Sequence, residues 1–494
     1  MKKLILLFAF ALPIHAQESS LQNARPNIVV VLTDDQGMGD LSCTGNKIVR
    51  TPHIDKFQSQ GTRFNDFQVS PTCAPTRAAL MSGVPPFKAG VTHTILKRER
   101  MALKIKTLPQ SLKDAGYATG LFGKWHLGDE EPYLPQNRGF DEVLMHGAGG
   151  IGQTRLGDFA QNSKNAYFDN VLLHNDTIVQ TQGYCTDMFF HAGLAWIQDQ
   201  NKTKNPFFAY ISLNAPHAPL IAPKSYSKRF TELGYDKSTA GRYGMIENID
   251  DNFGLLLRKL EEWKARENTL VIFLTDNGAS HLRGQLKGSG TVRHFNANLR
   301  GGKNSPFEGG THVPCFWQWP AKLKPNVDID ALSAHLDFYP TFCELAGVNL
   351  PKKAQKPEGR SLLPLLEDQS TKWPDRELFV HCGRWNPKQR NQSIFKKCAV
   401  RTSRWRLVDN EMLHDILADP SEKNNVAADN PEVVAKLQKS YRQWWDSTQP
   451  FLINEGLART PVDKQPLHLR YQKQLAEKGI PDWAPAPIGD AKLR

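Results

Sequence analysis

The sequence predicts an α/β protein: a large, mostly parallel sheet sandwiched by helices, followed by a smaller C-terminal α+β subdomain. Short apolar runs recur without polar alternation and stop abruptly in polar clusters, the pattern of strands buried on both faces. Helical stretches lie between them, and strands alternating with helices imply a parallel sheet covered on both sides. The third observation is size. A chain of 494 residues with 40% hydrophobic and 10% aromatic content can bury a large core, which excludes intrinsic disorder and low-complexity readings. At about 150 residues per domain, the length suggests two or three domains, or one large α/β domain with a satellite.

Taken in order, residues 1–16 read as a secretory signal: Lys2 and Lys3 are the charged start, Leu4 to Leu12 the apolar stretch, and Ala16 the small residue at the cut. That run is far shorter than the roughly 20 residues that span a bilayer, and no later segment is long and apolar enough, so no stable membrane insertion is expected. The main domain is placed at 24–371. Its clearest strands are Ile28 to Leu32 before Thr33-Asp34-Asp35, Phe207 to Leu213 before Asn214-Ala215-Pro216-His217, and Leu270 to Leu274 before Thr275-Asp276-Asn277. Its clearest helix carries Ile246, Ile249, Phe253, Leu256, Leu257, Leu260 and Trp263 on one face. Pro351 to Gly359, rich in Pro and Lys, reads as a connecting loop.

The subdomain is placed at 372–450, with strand-like pieces at Leu378 to His381, Cys398 to Arg401 and Trp405 to Val408. A helix follows, with Val433, Val434, Leu437, Tyr441, Trp444 and Trp445 at helical spacing. Residues 451–494, with several Pro and no clear period, read as an extended tail wrapping the body. There is no internal repeat.

Lys and Arg number 62 against 50 Asp and Glu, a formal charge of +12, and removal of Lys2 and Lys3 leaves the chain still basic. The excess points to anionic partners without naming the anion. Seven cysteines are too few for a disulfide scaffold, and the odd number suggests one with another task. Cys382 and Cys398 are candidates to pair across neighbouring strands in an oxidising compartment.

In parallel sheets ligands bind beyond the carboxyl ends of the strands, where the polar clusters fall. Asp34-Asp35 and Asp276-Asn277 offer hard oxygen donors with no cysteine or clustered histidine beside them. That set favours Ca²⁺ or Mg²⁺ over zinc. One Asp-Asp pair alone is ordinarily a turn or helix cap; two acidic pairs at the ends of two apolar strands point to a metal site.

The most specific segment is Cys73-Ala74-Pro75-Thr76-Arg77-Ala78-Ala79-Leu80-Met81-Ser82-Gly83. It resembles the sulfatase signature C-x-P-[ST]-R-x-x-x-[LM]-[ST]-G at every fixed position. Gly116-Tyr117-Ala118-Thr119-Gly120-Leu121-Phe122-Gly123-Lys124-Trp125-His126 is similar to a second motif of that family, G-Y-x-T-x-x-x-G-K-x-H. Asn214-Ala215-Pro216-His217, Thr275-Asp276-Asn277-Gly278 and Arg300-Gly301-Gly302-Lys303 follow in family order. From about Pro26 to about Gln438 the chain resembles a type I, arylsulfatase-like sulfatase of the alkaline phosphatase superfamily.

The resemblance implies the fold of that superfamily and hydrolysis of a sulfate ester. It implies that Cys73 is oxidised to formylglycine by a formylglycine-generating or anaerobic sulfatase-maturating enzyme. The hydrated aldehyde is then the nucleophile, and a covalent sulfo-enzyme intermediate follows. One Ca²⁺ is expected on Asp34, Asp35, Asp276, Asn277 and residue 73. Arg77 is expected to hold the formylglycine hydroxyl, Lys124 and Lys303 to grip sulfate oxygens, His217 to serve as general acid, and His126 to stand near the second hydroxyl. A helix starting just after Cys73 would add its positive end to this anion site.

Two positions depart from the family pattern. Gly309-Gly310-Thr311-His312-Val313-Pro314 has His312 where relatives often have Arg. A polar residue that some relatives place after the K-x-H motif has no match in Gly147 to Gly152. That loop spells G-x-G-x-x-G, but no helix-like segment follows, which argues against a dinucleotide site. Lys97, Arg98 and Arg100, and the group Lys388, Arg390, Lys396, Lys397, Arg401, Arg404 and Arg406, read equally as polyanion contacts or as solvated faces. His381 and Arg384, with Trp385, are candidates to reach the site rim and contact a sugar.

The expected substrate is a sulfated carbohydrate, with a sulfated galactose or N-acetylgalactosamine residue as the narrower guess, and the expected location is the periplasm or the exterior of a bacterial cell. No nucleic acid partner is expected. The alternatives are a formylglycine-dependent phosphonate or phosphodiester hydrolase and an inactive binder of sulfated glycans. A two-metal phosphatase is disfavoured, because Asn277 stands where such enzymes carry His and its neutral oxygen suits a single Ca²⁺. Oligomeric state is not specified by the sequence.

Overall fold

A computed structural model of the chain describes residues 20–159, 166–351, 356–458 and 460–489. The signal segment at 1–16 lies outside the described residues, as does part of the connecting loop at 351–359. Among the described residues no helix is long and apolar enough to cross a membrane.

Why the strand sequences are apolar throughout is visible at β1 (Asn27–Thr33). Ile28, Val30 and Leu32 join one core cluster, and Val29 and Val31 join another on the opposite face. Successive side chains of a strand point to opposite faces, so a strand covered on both sides has no polar positions to spare. Each such side chain contributes about 1.5–3 kcal/mol on burial. The other strands of the sheet are β2 (Thr62–Phe64), β3 (Ala118–Lys124), β4 (Glu142–His146), β5 (Val171–His174), β6 (Thr177–Gln180), β7 (Phe207–Ser212), β8 (Thr269–Thr275), β9 (Cys315–Gln318) and β10 (Val327–Ile329). They lie side by side in the order β10-β2-β9-β8-β1-β7-β3-β4-β5-β6. The central run from β8 to β4 is parallel, while β9, β5 and β6 pair antiparallel at the flanks.

Helices cover both faces. Helix α1 (Cys73–Ser82) and α4 (Phe338–Ala346) pack with Ile28, Val30 and Tyr210. On the other face lie α2 (Cys185–Thr203) and α3 (Lys237–Glu262). The apolar stripe expected on α3 is divided: Ile249, Phe253, Leu256 and Leu260 face the sheet, and Ile246 packs instead with Phe230 and Tyr243.

The subdomain is an antiparallel meander of β11 (Leu378–His381), β12 (Cys398–Arg401), β13 (Trp405–Val408) and β14 (Met412–Asp415). The fourth strand is as short as the other three, and its second half, His414-Asp415, is polar, so no apolar run marks it in the sequence. Against it lies α5 (Pro431–Thr448), whose Leu437, Tyr441, Trp444 and Trp445 bury with Phe87, Trp385, Val400 and Leu407. Phe87 comes from the main domain, so one aromatic cluster joins the two parts. Cys382 and Cys398, proposed as a disulfide pair, both carry free thiols.

The tail also corrects the sequence reading. It holds a helix, α6 (Pro466–Lys478), rather than extended chain alone. Its period was hidden because the buried stripe is thin: Leu467 joins the main core, and the next inward position with comparable burial is the polar Gln474. Gln474 replaces a missing strand, accepting from Ile178 N (2.8 Å) and donating to Ile178 O (2.7 Å). Gln180 N donates to Pro481 O (2.9 Å) and Trp483 N to Gln180 O (2.8 Å). The tail thus covers the open edge at β6, which would otherwise present unpaired backbone groups.

Candidate active site

Strand register sets the site before any side chain is considered. Thr33 of β1 lies opposite Thr275 of β8, so the pairs that follow, Asp34-Asp35 and Asp276-Asn277, leave the sheet side by side. On the other flank of β1, β3 and β7 place Gly123 opposite Ser212. Lys124 and the segment Asn214-Ala215-Pro216-His217 therefore arrive at the same edge. Asp35 adopts φ +66°, and its N–H donates to Asp276 Oδ1 (3.2 Å).

Cys73 is the first residue of α1 and is buried. Its Sγ lies 4.0 Å from Asp35 Oδ1, which brings the positive end of the helix to the acidic cluster. Burial, with Asp34 adding to it, pushes the Cys73 thiol up to about 12, so it is no thiolate nucleophile as it stands. Arg77, one turn further, donates from Nε and a terminal nitrogen to Asp276 Oδ2 (3.1 and 2.8 Å). Its other nitrogen donates to Lys124 O (3.1 Å) and to Ser212 Oγ. Burial and the neighbouring Asp34 raise the Asp276 carboxyl to about 6 despite Arg77.

Lys124 Nζ pairs with Asp34, fully buried on both sides. Lys303 Nζ pairs with Asp35 (2.6 Å). Burial works against ionisation of Asp35, but Lys303, His217 and the Asn277 amide outweigh it and hold the carboxyl well below the usual carboxylate range. Burial likewise opposes the charge on Lys303, and Asp35 overrides it upward.

Donor atoms of Asp34, Asp35, Cys73 and Asp276 all lie within 4.8 Å of one another. Among the described residues Asp34 Oδ1 and Asn277 Oδ1 are buried without a hydrogen-bond partner, a costly condition unless another group takes them. Carboxylates and an amide oxygen, with no imidazole, fit a hard divalent cation such as Ca²⁺ or Mg²⁺.

The two histidines present opposite ring nitrogens. His217 Nδ1–H donates to Ala218 O (2.7 Å), leaving Nε2 free 3.9 Å from Asp35 Oδ2. His126 Nε2–H donates to Thr94 O (2.8 Å), leaving Nδ1 buried and unpartnered. Burial lowers His217 to about 4 against the pull of Asp35, and burial with Lys124 lowers His126 well below its ordinary value. Both rings are neutral bases until an anion enters.

The Gly147–Gly152 loop is a cover for these rings. A Cβ on Gly149 would stand 2.4 Å from His126 Nε2, and one on Gly150 2.9 Å from His217 Cε1. Gly149 of the G-x-G-x-x-G spelling is fixed by that close approach, Gly147 by Gly157 O, which a Cβ would meet at 2.6 Å, and Gly152 by its φ of +80°; among the described residues no α-helix opens at the loop. Ser212, Gly149 and Gly150 are site residues that the sequence reading missed. The strand register and the absence of a polar residue in the loop were the available signals.

Arg384 and His381 part company. Arg384 donates to Thr94 Oγ1 (2.5 Å), its Nε is buried without a partner, and it lines a cavity of about 410 Å³ with Asn304, the neighbour of Lys303. His381 is 5% exposed and packed against Phe87, Trp385 and Trp445. Its ring binds Ser393 O and Gly383 N. It is a packing residue that holds the rim from beneath and presents nothing to a sugar, because β11 turns it inward.

The basic groups also sort themselves. Arg98 is buried on Glu455 (2.9 Å) and Arg100 pairs with Glu130. Arg401 and Arg406 converge on Glu308 (2.9 and 2.5 Å) at the junction between the two parts of the chain. His312, in the place of the family's Arg, joins that junction through Glu308 (2.9 Å) and Asn65 O (2.7 Å). Arg404 pairs with Asp415 (2.8 Å). Lys396 and Lys397 remain exposed on the lining of the rim cavity.

Comparison with known proteins agrees with this arrangement. Residues 26–348 match the sulfatase family model, and residues 302–446 match the C-terminal model of N-sulphoglucosamine sulphohydrolase. An N-acetylgalactosamine-6-O-sulfatase of Bacteroides thetaiotaomicron is 28% identical over 86% of this chain and 94% of its own length. The N-acetylgalactosamine-6-sulfatase of Mus musculus is 31% identical over 72% of this chain and 69% of its own length. The crystal structure of Ps i-CgsB in complex with k-i-k-neocarrahexaose superposes with a TM-score of 0.74 at 27% identity, covering 92% of this chain and 98% of that one. With its acid pairs, cysteine-led helix and flanking lysines on an alkaline-phosphatase-like sheet, this chain belongs to the sulfatase family and is a sulfatase, a hydrolase of sulfate esters.

Proposed function

We propose that this protein is an exported, formylglycine-dependent sulfatase that removes sulfate from a sulfated glycan with the help of one Ca²⁺. The observation that carries the reading is the convergence of Cys73, Arg77, Lys124, His126, His217 and Lys303 around a buried acid cluster with two unpartnered oxygens. Three carboxylates face three fixed cations, so a divalent cation on Asp34, Asp35, Asp276 and Asn277 makes the pocket net positive, as an anionic ester needs. With the carboxylates so engaged, Lys124 and Lys303 are freed to grip sulfate oxygens.

The hydrated aldehyde at residue 73 supplies one hydroxyl that attacks sulfur and a second whose deprotonation expels sulfate. Arg77, fixed by Asp276 and Ser212, positions that group. His217 delivers a proton from Nε2 to the leaving oxygen once the ester's charge favours its imidazolium, and His126 takes the proton of the second hydroxyl at Nδ1. Gly149 and Gly150 keep water away from both rings by packing on them.

Arg384, Asn304, Lys396 and Lys397 then form the subsite for the sugar beyond the sulfated residue. The named activities of the relatives support a sulfated galactose or N-acetylgalactosamine residue. The pattern at residues 1–16 supports export to a bacterial periplasm or beyond, with maturation by a formylglycine-generating or anaerobic enzyme of the host. The test is sulfate release across a panel of defined sulfated saccharides, with the intact mass of the Cys73 peptide measured in the same preparation. Release from a galacto-configured saccharide with the oxidised peptide is expected. An unmodified thiol in active protein would overturn the mechanism, and faster cleavage of a phosphate diester would overturn the substrate.

A further inference from the structure

Between Asn277 and Lys303, two residues of the site, the chain leaves and returns as a two-stranded hairpin, Arg283–Leu286 paired with Gly290–Arg293. From residue 278 to 307 it carries Arg283, Lys287, Arg293, Arg300 and Lys303, and no Asp or Glu. The foot is fixed to the site: Lys303 N donates to Ala279 O (3.0 Å), His294 N to Leu282 O (3.0 Å), and His294 Nδ1–H to His281 O (2.6 Å). Its first strand leans on the neighbouring loop, with Lys287 N donating to Gly234 O (2.9 Å). The tip stands in open space, for a Cβ built on Gly288 or Gly290 meets nothing within 4 Å.

Three of the five charges are unspent. Lys303 is held by Asp35, and Arg300 stacks on Phe307 (3.9 Å) and donates to Glu422 O. Arg283, Lys287 and Arg293 are exposed, and among the described residues they form no ion pair. The carboxylate that contacts the hairpin, Asp236, is taken by Ser238 N, Thr239 N, the Thr239 hydroxyl and Gln285 N. Arg283 and Arg293 are direct cross-strand partners, an arrangement in which like charges destabilise the pair. A hairpin that sets two arginines against each other, with its one contacting acid already engaged by other donors, is open to neutralisation by an anion from outside.

We infer that the 283–293 hairpin is a docking arm for an extended sulfated polysaccharide, holding the polymer beside the site while one sulfate is removed. This rests on the sulfatase reading and adds to it: the substrate is a polyanionic chain rather than a lone sulfated sugar. The segments on either side of the arm run directly into Asn277 and Lys303 of the site, and Asn304 beside Lys303 lines the rim cavity, so a polymer held along the arm's cations lies next to the site. Clustered positive charge of this kind acts on encounter and on salt-dependent affinity more than on the chemical step.

The experiment uses the full chain with Cys73→Ala, so that binding is read without turnover, in gels containing carrageenan or unsulfated agarose. The triple variant Arg283→Gln/Lys287→Gln/Arg293→Gln is expected to bind carrageenan about tenfold more weakly at low salt, with a shallower salt dependence. Arg283→Lys/Arg293→Lys is expected to restore binding, which a merely misfolded hairpin would not do. In the Cys73 parent the triple variant should lose kcat/KM on polymer and keep it on a small aryl sulfate. Unchanged carrageenan affinity in the triple variant, or equal retention by agarose, overturns the arm. Tighter arm-dependent binding of single-stranded DNA than of carrageenan overturns its assignment to a glycan. Arm-dependent carrageenan binding with no sulfate release from any ester upholds the arm while refuting the sulfatase reading.

Discussion

The floor of the site and its rim are built on different principles. On the floor, every charged side chain is buried and bound to an opposite charge: Arg77 to Asp276, Lys124 to Asp34, Lys303 to Asp35. Strand register delivers these groups, and a parallel sheet held by two core clusters does not let them drift. The rim is assembled from Thr94, Asn304, Arg384 and Lys396, on separate loops over an aromatic cluster. Arg384 there is tied to the Thr94 hydroxyl, while Lys396 and Lys397 face outward and, among the described residues, form no ion pair. Prepaid geometry suits the chemical step, which is intolerant of displacement. Adjustable outward charge suits the choice of a substrate.

That contrast is broken most severely at the nucleophile. Cys73→Ala and Lys124→Ala are each expected to lower kcat by about three orders of magnitude or more, the scale of removing a nucleophile or a charge that faces the transition state. Steady-state kinetics on an aryl sulfate checks this. Near-normal rates would mean the floor has been assigned to the wrong residues. Cys73→Ala should leave the melting temperature nearly unchanged, because the position is lined by charge rather than by apolar contacts.

The next effect is on stability and lies behind the floor. Burial, with Asp158 adding to it, pushes the Asp129 carboxyl up to about 7, beside a cavity that also touches His126 and Glu99. A carboxyl raised on folding holds a proton that the unfolded chain has released. Its contribution is therefore most favourable below about pH 4 and is lost as pH rises toward 7. Asp129→Asn keeps the acceptor for Ala148 N and removes the titration. The variant is expected to gain about 1–3 kcal/mol over the parent by pH 8 and nothing at pH 4, read by denaturant unfolding at the two values. An equal difference at both would show that the carboxyl ionises freely in the folded protein.

What could be read from the sequence divides along the same line. Asp34-Asp35 and Asp276-Asn277 were legible because each is contiguous and sits where an apolar run ends, and the cysteine-led segment because its spacing is fixed by one helix. Ser212 was not, since a serine closing an apolar run has no mark until β7 is laid beside β3. Arg98, Arg401 and Arg406 looked like surface charge because their partners Glu455 and Glu308 lie far off in sequence. His381 looked like a rim residue because strand ends often carry function, and only the packing of Phe87, Trp385 and Trp445 shows it turned inward. The helix at Pro466–Lys478 was missed because one glutamine does the work expected of an apolar side chain.

Between floor and rim lies the glycine cover. Gly149→Ala is expected to cost about a hundredfold in kcat, because its methyl would meet His126 Nε2 at 2.4 Å and displace a ring whose position matters at that scale. Gly456→Ala, where a Cβ meets nothing within 4 Å, is the control and should be silent. Parallel kinetics on the two variants compare a required glycine with an incidental one.

The smallest effect belongs to the rim. Lys396→Gln/Lys397→Gln removes two exposed cations from the lining of the Arg384 cavity and leaves every floor residue untouched. Exposed charges interact through water, so each is worth well under the pairs beneath, about 0.2–1 kcal/mol. The pair of substitutions is therefore expected to raise KM about threefold to tenfold for a sulfated oligosaccharide with an anionic neighbouring sugar, and to leave kcat alone. For a sulfated monosaccharide, which does not reach the cavity, both constants should stay as they are. A fall in kcat on both substrates would show that the cavity and the floor are coupled through Thr94, which accepts from His126 at its carbonyl and from Arg384 at its hydroxyl. The rim would then be part of the rigid machinery, and the division between fixed floor and adjustable rim would fail at that one residue.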